Sequence, residues 1–147
     1  MIKRLLNKSP IKTVNAHCDV PCGIYDPYPL QINAHTIIRM TELLEKDADE
    51  NRKTRYVLVK EQHAEKLKNE LRVLWGDYFK ENPEIDVLVK KALQQGSKVR
   101  QTVDKKTAQE LLTTVQEISE IFWKTKKRET FRIKSPYPTT GELVLPK

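Results

Sequence analysis

Ala64, Leu67, Leu71, Leu74, Trp75 and Tyr78 fall on one side of a helix drawn through them, a single apolar stripe that only an amphipathic helix can bury. The stripe stops at Asn82-Pro83, because a residue before proline avoids helical geometry. Three further stripes surround it. Leu30, Ala34, Ile37, Ile38, Met40, Leu43 and Leu44 follow Asp26-Pro27, which reads as an N-cap with proline in the first turn; Tyr28-Pro29 offers a start two residues later. This helix ends in the charged run Glu45–Arg55. Pro83 opens a third helix through Ile85, Leu88, Val89, Ala92 and Leu93, with Gly96 as its stop. Ala108, Leu111, Leu112, Val115, Ile118 and Phe122 make the fourth, entered either at a capping box Thr107-x-x-Glu110 or nearer Asp104. Four such helices on short connections predict an all-α, antiparallel four-helix bundle over 28–128. Residues 129–147 hold Pro136, Pro138, Gly141 and Pro146 and cannot continue the last helix. Phe131–Ile133 and Leu143–Leu145 alternate as extended segments, expected to pack on a neighbouring subunit.

The chemistry is concentrated ahead of the bundle. His17-Cys18-Asp19-Val20-Pro21-Cys22-Gly23-Ile24-Tyr25-Asp26-Pro27 contains both cysteines of the chain and one of its three histidines. Two cysteines are too few for a disulfide framework and suit a metal or redox site. Taken alone, Cys-x₃-Cys is as compatible with half a zinc site or a redox pair as with any other metal. Zinc would need two more ligands, and His35 and His63 are the other histidines. His35 reads as an exposed helix residue and His63 as a helix-face histidine.

Charge placement narrows the function classes. The formal net charge is +7, of which residues 1–16 carry +4, residues 126–147 another +4, and the middle −1. A nucleic-acid module would instead carry its bases along a folded face, often with interleaved aromatics. No apolar run approaches the roughly 18 residues of a membrane span. Residues 1–16 are basic and acid-free but lack a secretory h-region, so a cytoplasmic location is expected. Val14-Asn15-Ala16 has the small-residue look of a cleavage site, with an uncleaved N-terminal arm as the alternative. Cleavage after Ala16 would make His17 the N-terminus, placing an α-amine beside its imidazole.

Residues His17 to Pro27 resemble the nickel-binding hook of the nickel superoxide dismutases. The similarity continues at Val73-Leu74-Trp75-Gly76-Asp77-Tyr78-Phe79-Lys80 and at Ile121-Phe122-Trp123-Lys124-Thr125-Lys126-Lys127, spanning about 17–127. The resemblance implies a nickel cofactor, superoxide as substrate, a homohexamer, and a propeptide, 1–16, removed by a processing peptidase. It implies a hook over 17–27 in which the Cys18 and Cys22 thiolates, the His17 α-amine and the Cys18 backbone amide form a planar set typical of Ni(II), with the His17 imidazole axial in the oxidised state. Pro21 rigidifies the return to Cys22, and Gly23 permits a positive φ as the chain leaves the site. By the same resemblance Asp19 braces the hook, Tyr25 stands at the mouth of the site and Tyr78 joins it from the second helix. A glutamate and an arginine that support the axial histidine in some members align with Asn33 and His63. The alternative is a nickel-binding or trafficking protein without turnover, which has no use for a gating tyrosine.

Overall fold

The computed structural model describes residues 23–80 and 82–147. Four helices pack antiparallel around one core: α1 Tyr28–Lys46, α2 Glu50–Val73, α3 Pro83–Gln101 and α4 Lys105–Thr125. The stripes read from the sequence meet in that core, where Leu30, Ile37, Leu67, Leu71, Ile85, Val89, Leu111, Ile118 and Phe122 are buried. Each fully buried side chain of this kind contributes about 1.5–3 kcal/mol toward folding.

The helix ends explain several departures from the sequence expectations. α1 is capped at Pro27, not Asp26, although the Asp26 carboxylate still accepts the Tyr28 N–H at 2.7 Å. The charged run after α1 is mostly the start of α2. Asp47–Asp49 make the whole connection, and Asp49 accepts from the Arg52 N–H to open the next helix, after which Lys, Arg and Glu sustain it. Gly96 does not end α3. It is buried inside the helix where an added Cβ would meet Lys68 Cγ at 3.1 Å, so its missing side chain makes room for Lys68 to cross from α2. α3 runs on to Gln101 and buries Val99 as well. α4 starts at the earlier of the two expected places, with Asp104 accepting from the Lys106 and Thr107 N–H groups.

Two features were not foreseen. α2 loses its regular winding at Leu74, and Leu74–Phe79 forms a π-helical turn ended by Lys80 at φ 28°. The tail folds onto its own chain. β1 Thr130–Lys134 pairs antiparallel with β2 Glu142–Pro146, Arg132 opposite Val144, and Leu143 and Val144 are buried. Part of the tail's apolar surface is thus buried within its own chain. α1 and α4 supply polar side chains that satisfy the outer edge of β2. Gln31 donates to the Val144 carbonyl at 2.9 Å and accepts its N–H at 2.8 Å, and Gln116 donates to the Glu142 carbonyl at 2.6 Å. His35 also joins this clasp and is buried, which corrects its reading as an exposed residue.

Candidate metal centre

Among the described residues, no group of three or more His, Cys, Asp or Glu side chains is placed to hold a metal ion. The candidate ligands His17, Cys18 and Cys22, with Asp19 and Pro21, lie outside the described residues. So do the proposed cleavage junction and the leader before it. What the fold displays is the chain that follows the expected hook. Gly23, covalently joined to Cys22, adopts φ +90°, the left-handed region open to glycine without steric cost. Two residues on, half-buried Tyr25 lays its ring against Tyr78, centroids 5.4 Å apart at 49°.

Tyr78 owes its position to the π-helical turn. An extra residue in the turn rotates the last side chains of α2 relative to its core stripe, a device often found at functional sites. Tyr78 then packs on Phe122 of α4 at 4.7 Å and edge-on to Phe79 at 5.1 Å. Its hydroxyl lies 2.5 Å from Thr125 Oγ1, and the Lys126 ammonium sits 4.9 Å from its ring centroid, a cation–π contact. Trp75, one turn back, donates its indole N–H to Asp86 at 2.6 Å and ties the turn to α3. Beside this cluster, Asp26, Tyr28, Trp123, Val144, Leu145 and Pro146 line a cleft of about 210 Å³.

Asn33 and His63 form a second unit. Asn33 Nδ2 donates to the Pro29 carbonyl at 2.9 Å, which turns its Oδ1 toward His63 Nδ1 at 2.7 Å. An amide oxygen only accepts, so Nδ1 carries the hydrogen and Nε2 is the acceptor of the neutral ring. Burial, reinforced by the Lys66 charge, pushes the His63 pKa below its ordinary value and favours that neutral form. His63 precedes Tyr78 by fifteen residues, roughly 20 Å along the helix. The two pairs therefore sit at separate levels of α2 within one chain. Phe79, Thr125 and the Lys126 contact were not foreseen as parts of the aromatic cluster. The Phe-Trp-x-Thr-Lys-Lys segment is the signal that pointed to this end of α4, but the reach of α4 to Tyr78 depends on the π turn.

The nickel-containing superoxide dismutase family model matches residues 12–126. Superoxide dismutase [Ni] from Streptomyces coelicolor is 39% identical over 132 residues, covering 86% of this chain and 99% of that protein; the enzyme from Streptomyces seoulensis matches to the same extent. A crystal structure of a nickel-containing superoxide dismutase, with nickel ligation corresponding to the oxidised state, is 39% identical. It covers 76% of this chain and 99% of its own, with a TM-score of 0.71. The native nickel superoxide dismutase structure gives 38%, 75%, 99% and 0.70 in the same order. The family match takes in every candidate ligand together with Tyr25, Tyr78, Asn33 and His63, and ends before the hairpin. This chain belongs to the nickel-containing superoxide dismutase family.

Proposed function

We propose that the chain is a nickel-dependent superoxide dismutase, taking two superoxide anions and two protons to dioxygen and hydrogen peroxide. The observation that carries this reading is the family match across 12–126, which includes the whole hook. His17, Cys18 and Cys22 are the residues that would hold the metal. Two thiolates, an imidazole, an amine and a backbone amide make a soft, strongly donating set that fits nickel better than magnesium or calcium. Nickel held by such donors would supply one-electron redox chemistry toward superoxide. Asp19 and Pro21 brace the hook around those ligands.

The described residues have their own tasks. Tyr25 and Tyr78 pack ring to ring beside the hook's exit, where they narrow the approach and favour small molecules. The Lys126 ammonium over Tyr78 places positive charge on the path of an anionic substrate. Asn33 and His63, which align with an acidic and a basic side chain that support the metal-site histidine in some members, would support His17. Their pair is neutral, so this support comes through hydrogen bonding and not through charge.

A free α-amine at His17 is a ligand and an amide nitrogen there is a poor one, so removal of 1–16 by a peptidase belongs to the same proposal, as do the homohexamer and a cytoplasmic location. No helix among the described residues is long and apolar enough to cross a membrane. The test compares a chain starting at Met1 with one starting at His17. Superoxide disproportionation with about one nickel per chain is expected only in the second. Nickel bound without turnover would favour the trafficking alternative, and zinc in both chains would overturn the mechanism.

A further inference from the structure

Hydrogen-bond accounting at the end of α4 gives Tyr78 a direction. A threonine hydroxyl carries one hydrogen and two lone pairs. Thr125 Oγ1 lies 2.6 Å from the Phe122 carbonyl, an acceptor with no hydrogen to give, so the single Thr125 hydrogen points there. That carbonyl also receives the Lys126 N–H at 3.3 Å, and its two lone pairs accommodate both donors, as carbonyls in a last helical turn commonly do. The Tyr78 hydroxyl, 2.5 Å from the same Oγ1, meets only lone pairs and must donate. The phenol hydrogen is thus committed to α4, and the oxygen retains lone pairs but has no second hydrogen.

We propose that Thr125 is a positioning residue that sets the polarity of Tyr78, holding the phenol as a hydrogen-bond acceptor at the mouth of the metal site. The proposal rests on the reading that Tyr78 lines that mouth. It has a chemical consequence for the reaction. Forming peroxide consumes two protons, and in this arrangement Tyr78 does not supply them. Its lone pairs accept from water or from newly formed hydrogen peroxide, so Tyr78 orders proton-bearing molecules beside Tyr25 without giving up its own hydrogen. Replacing Thr125 by valine keeps the shape, removes the acceptor and frees the phenol hydrogen to turn toward the mouth, where it competes with water as a donor. Serine keeps the acceptor.

The tyrosine ring doublet in the Raman spectrum reports whether a phenol donates or accepts. It is read on nickel-loaded protein, and the Tyr78→Phe difference isolates Tyr78 from the other four tyrosines. Thr125→Ser is expected to keep the parent doublet ratio and Thr125→Val to shift it to that of a phenol hydrogen-bonded to water alone, with nickel content unchanged. For turnover, Thr125→Val is expected to lower kcat/KM about three- to tenfold, the scale of one hydrogen bond, and Thr125→Ser to restore it. In a Tyr78→Phe background the valine substitution should add nothing further. A doublet ratio in Thr125→Val identical to the parent's, or a full additional loss on the Tyr78→Phe background, overturns the proposal. Full activity of Tyr78→Phe would instead overturn the mouth reading it rests on, while the Raman doublet still decides the direction of the bond.

Discussion

Lys126 is the residue at which electrostatics can be tested without touching a candidate ligand. Its ammonium lies over the Tyr78 ring on the solvent side of the aromatic cluster. Lys126→Glu is expected to lower kcat/KM for superoxide several-fold at low ionic strength, with the difference from the parent shrinking as salt shortens the Debye length from ~10 Å at 0.1 M to ~3 Å at 1 M. A salt-independent deficit would assign Lys126 to packing. Asn33 tests the second pair. Asn33→Asp puts a carboxylate where the amide oxygen accepts from His63 Nδ1–H, and a nearby negative charge favours the imidazolium. Imidazole NMR should therefore show the His63 titration moved to higher pH, against the lowering that burial and Lys66 impose. An unmoved titration would break the pair. Neither pairing was legible in the sequence: family alignment indicated Asn33 and His63 as supports, but the turning of the Asn33 amide depends on the Pro29 carbonyl four residues earlier.

At the scale of elements, the hairpin joins the tail to the helix that follows the hook. Tyr28, Gln31 and His35 lie at helical spacing on α1, and bond to Tyr137, to Val144, and to Thr139 and Glu142 respectively. Gln31→Leu leaves the Val144 N–H and C=O buried without partners, and is expected to cost about 1–3 kcal/mol in denaturant unfolding. His35 adds a pH dependence. Its Nε2 donates to the Glu142 carbonyl at 3.2 Å, its Nδ1 accepts from the Thr139 hydroxyl at 2.8 Å, and burial lowers its pKa from 6.5 despite the opposing carbonyl bond. Arg39 lines the same cleft and brings no negative charge to hold an imidazolium. The unfolded chain therefore binds more protons than the native one just below pH 6.5, so this stabilisation is complete above 6.5 and is lost as the pH falls below it. Thermal unfolding from pH 8 down to 5 should show that decline, flattened in His35→Gln. The tail's β alternation was visible in Phe131–Ile133 and Leu143–Leu145. Its docking site was not, because Gln31, His35 and Gln116 are polar and a stripe analysis sends such residues to solvent. Their burial follows from the exposed backbone edge of β2, which needs donors and acceptors that a purely apolar face cannot supply.

For the molecule as a whole, local signals carried most of the fold. The four apolar stripes, the Asn82-Pro83 stop, the Asp104 cap and the prolines at helix starts each act within a few residues, and together they leave an antiparallel bundle as the arrangement that buries all four faces. Donor chemistry was equally local. His17, Cys18 and Cys22 lie within six residues and mark a metal or redox site, and the nickel reading came from the resemblance of the whole stretch to Pro27 and of two helix segments to a known family. Gly96 marks the limit of such reasoning, since a glycine that ends one helix is, in this chain, space for Lys68 from another. Tertiary structure decided what depends on residues far apart: the π turn that brings Tyr78 onto Phe122 and Thr125, the Asn33–His63 pair, and the clasp of the hairpin on α1. Each of these is a hydrogen bond or ring contact between elements, and its partners become neighbours only after the stripes have packed.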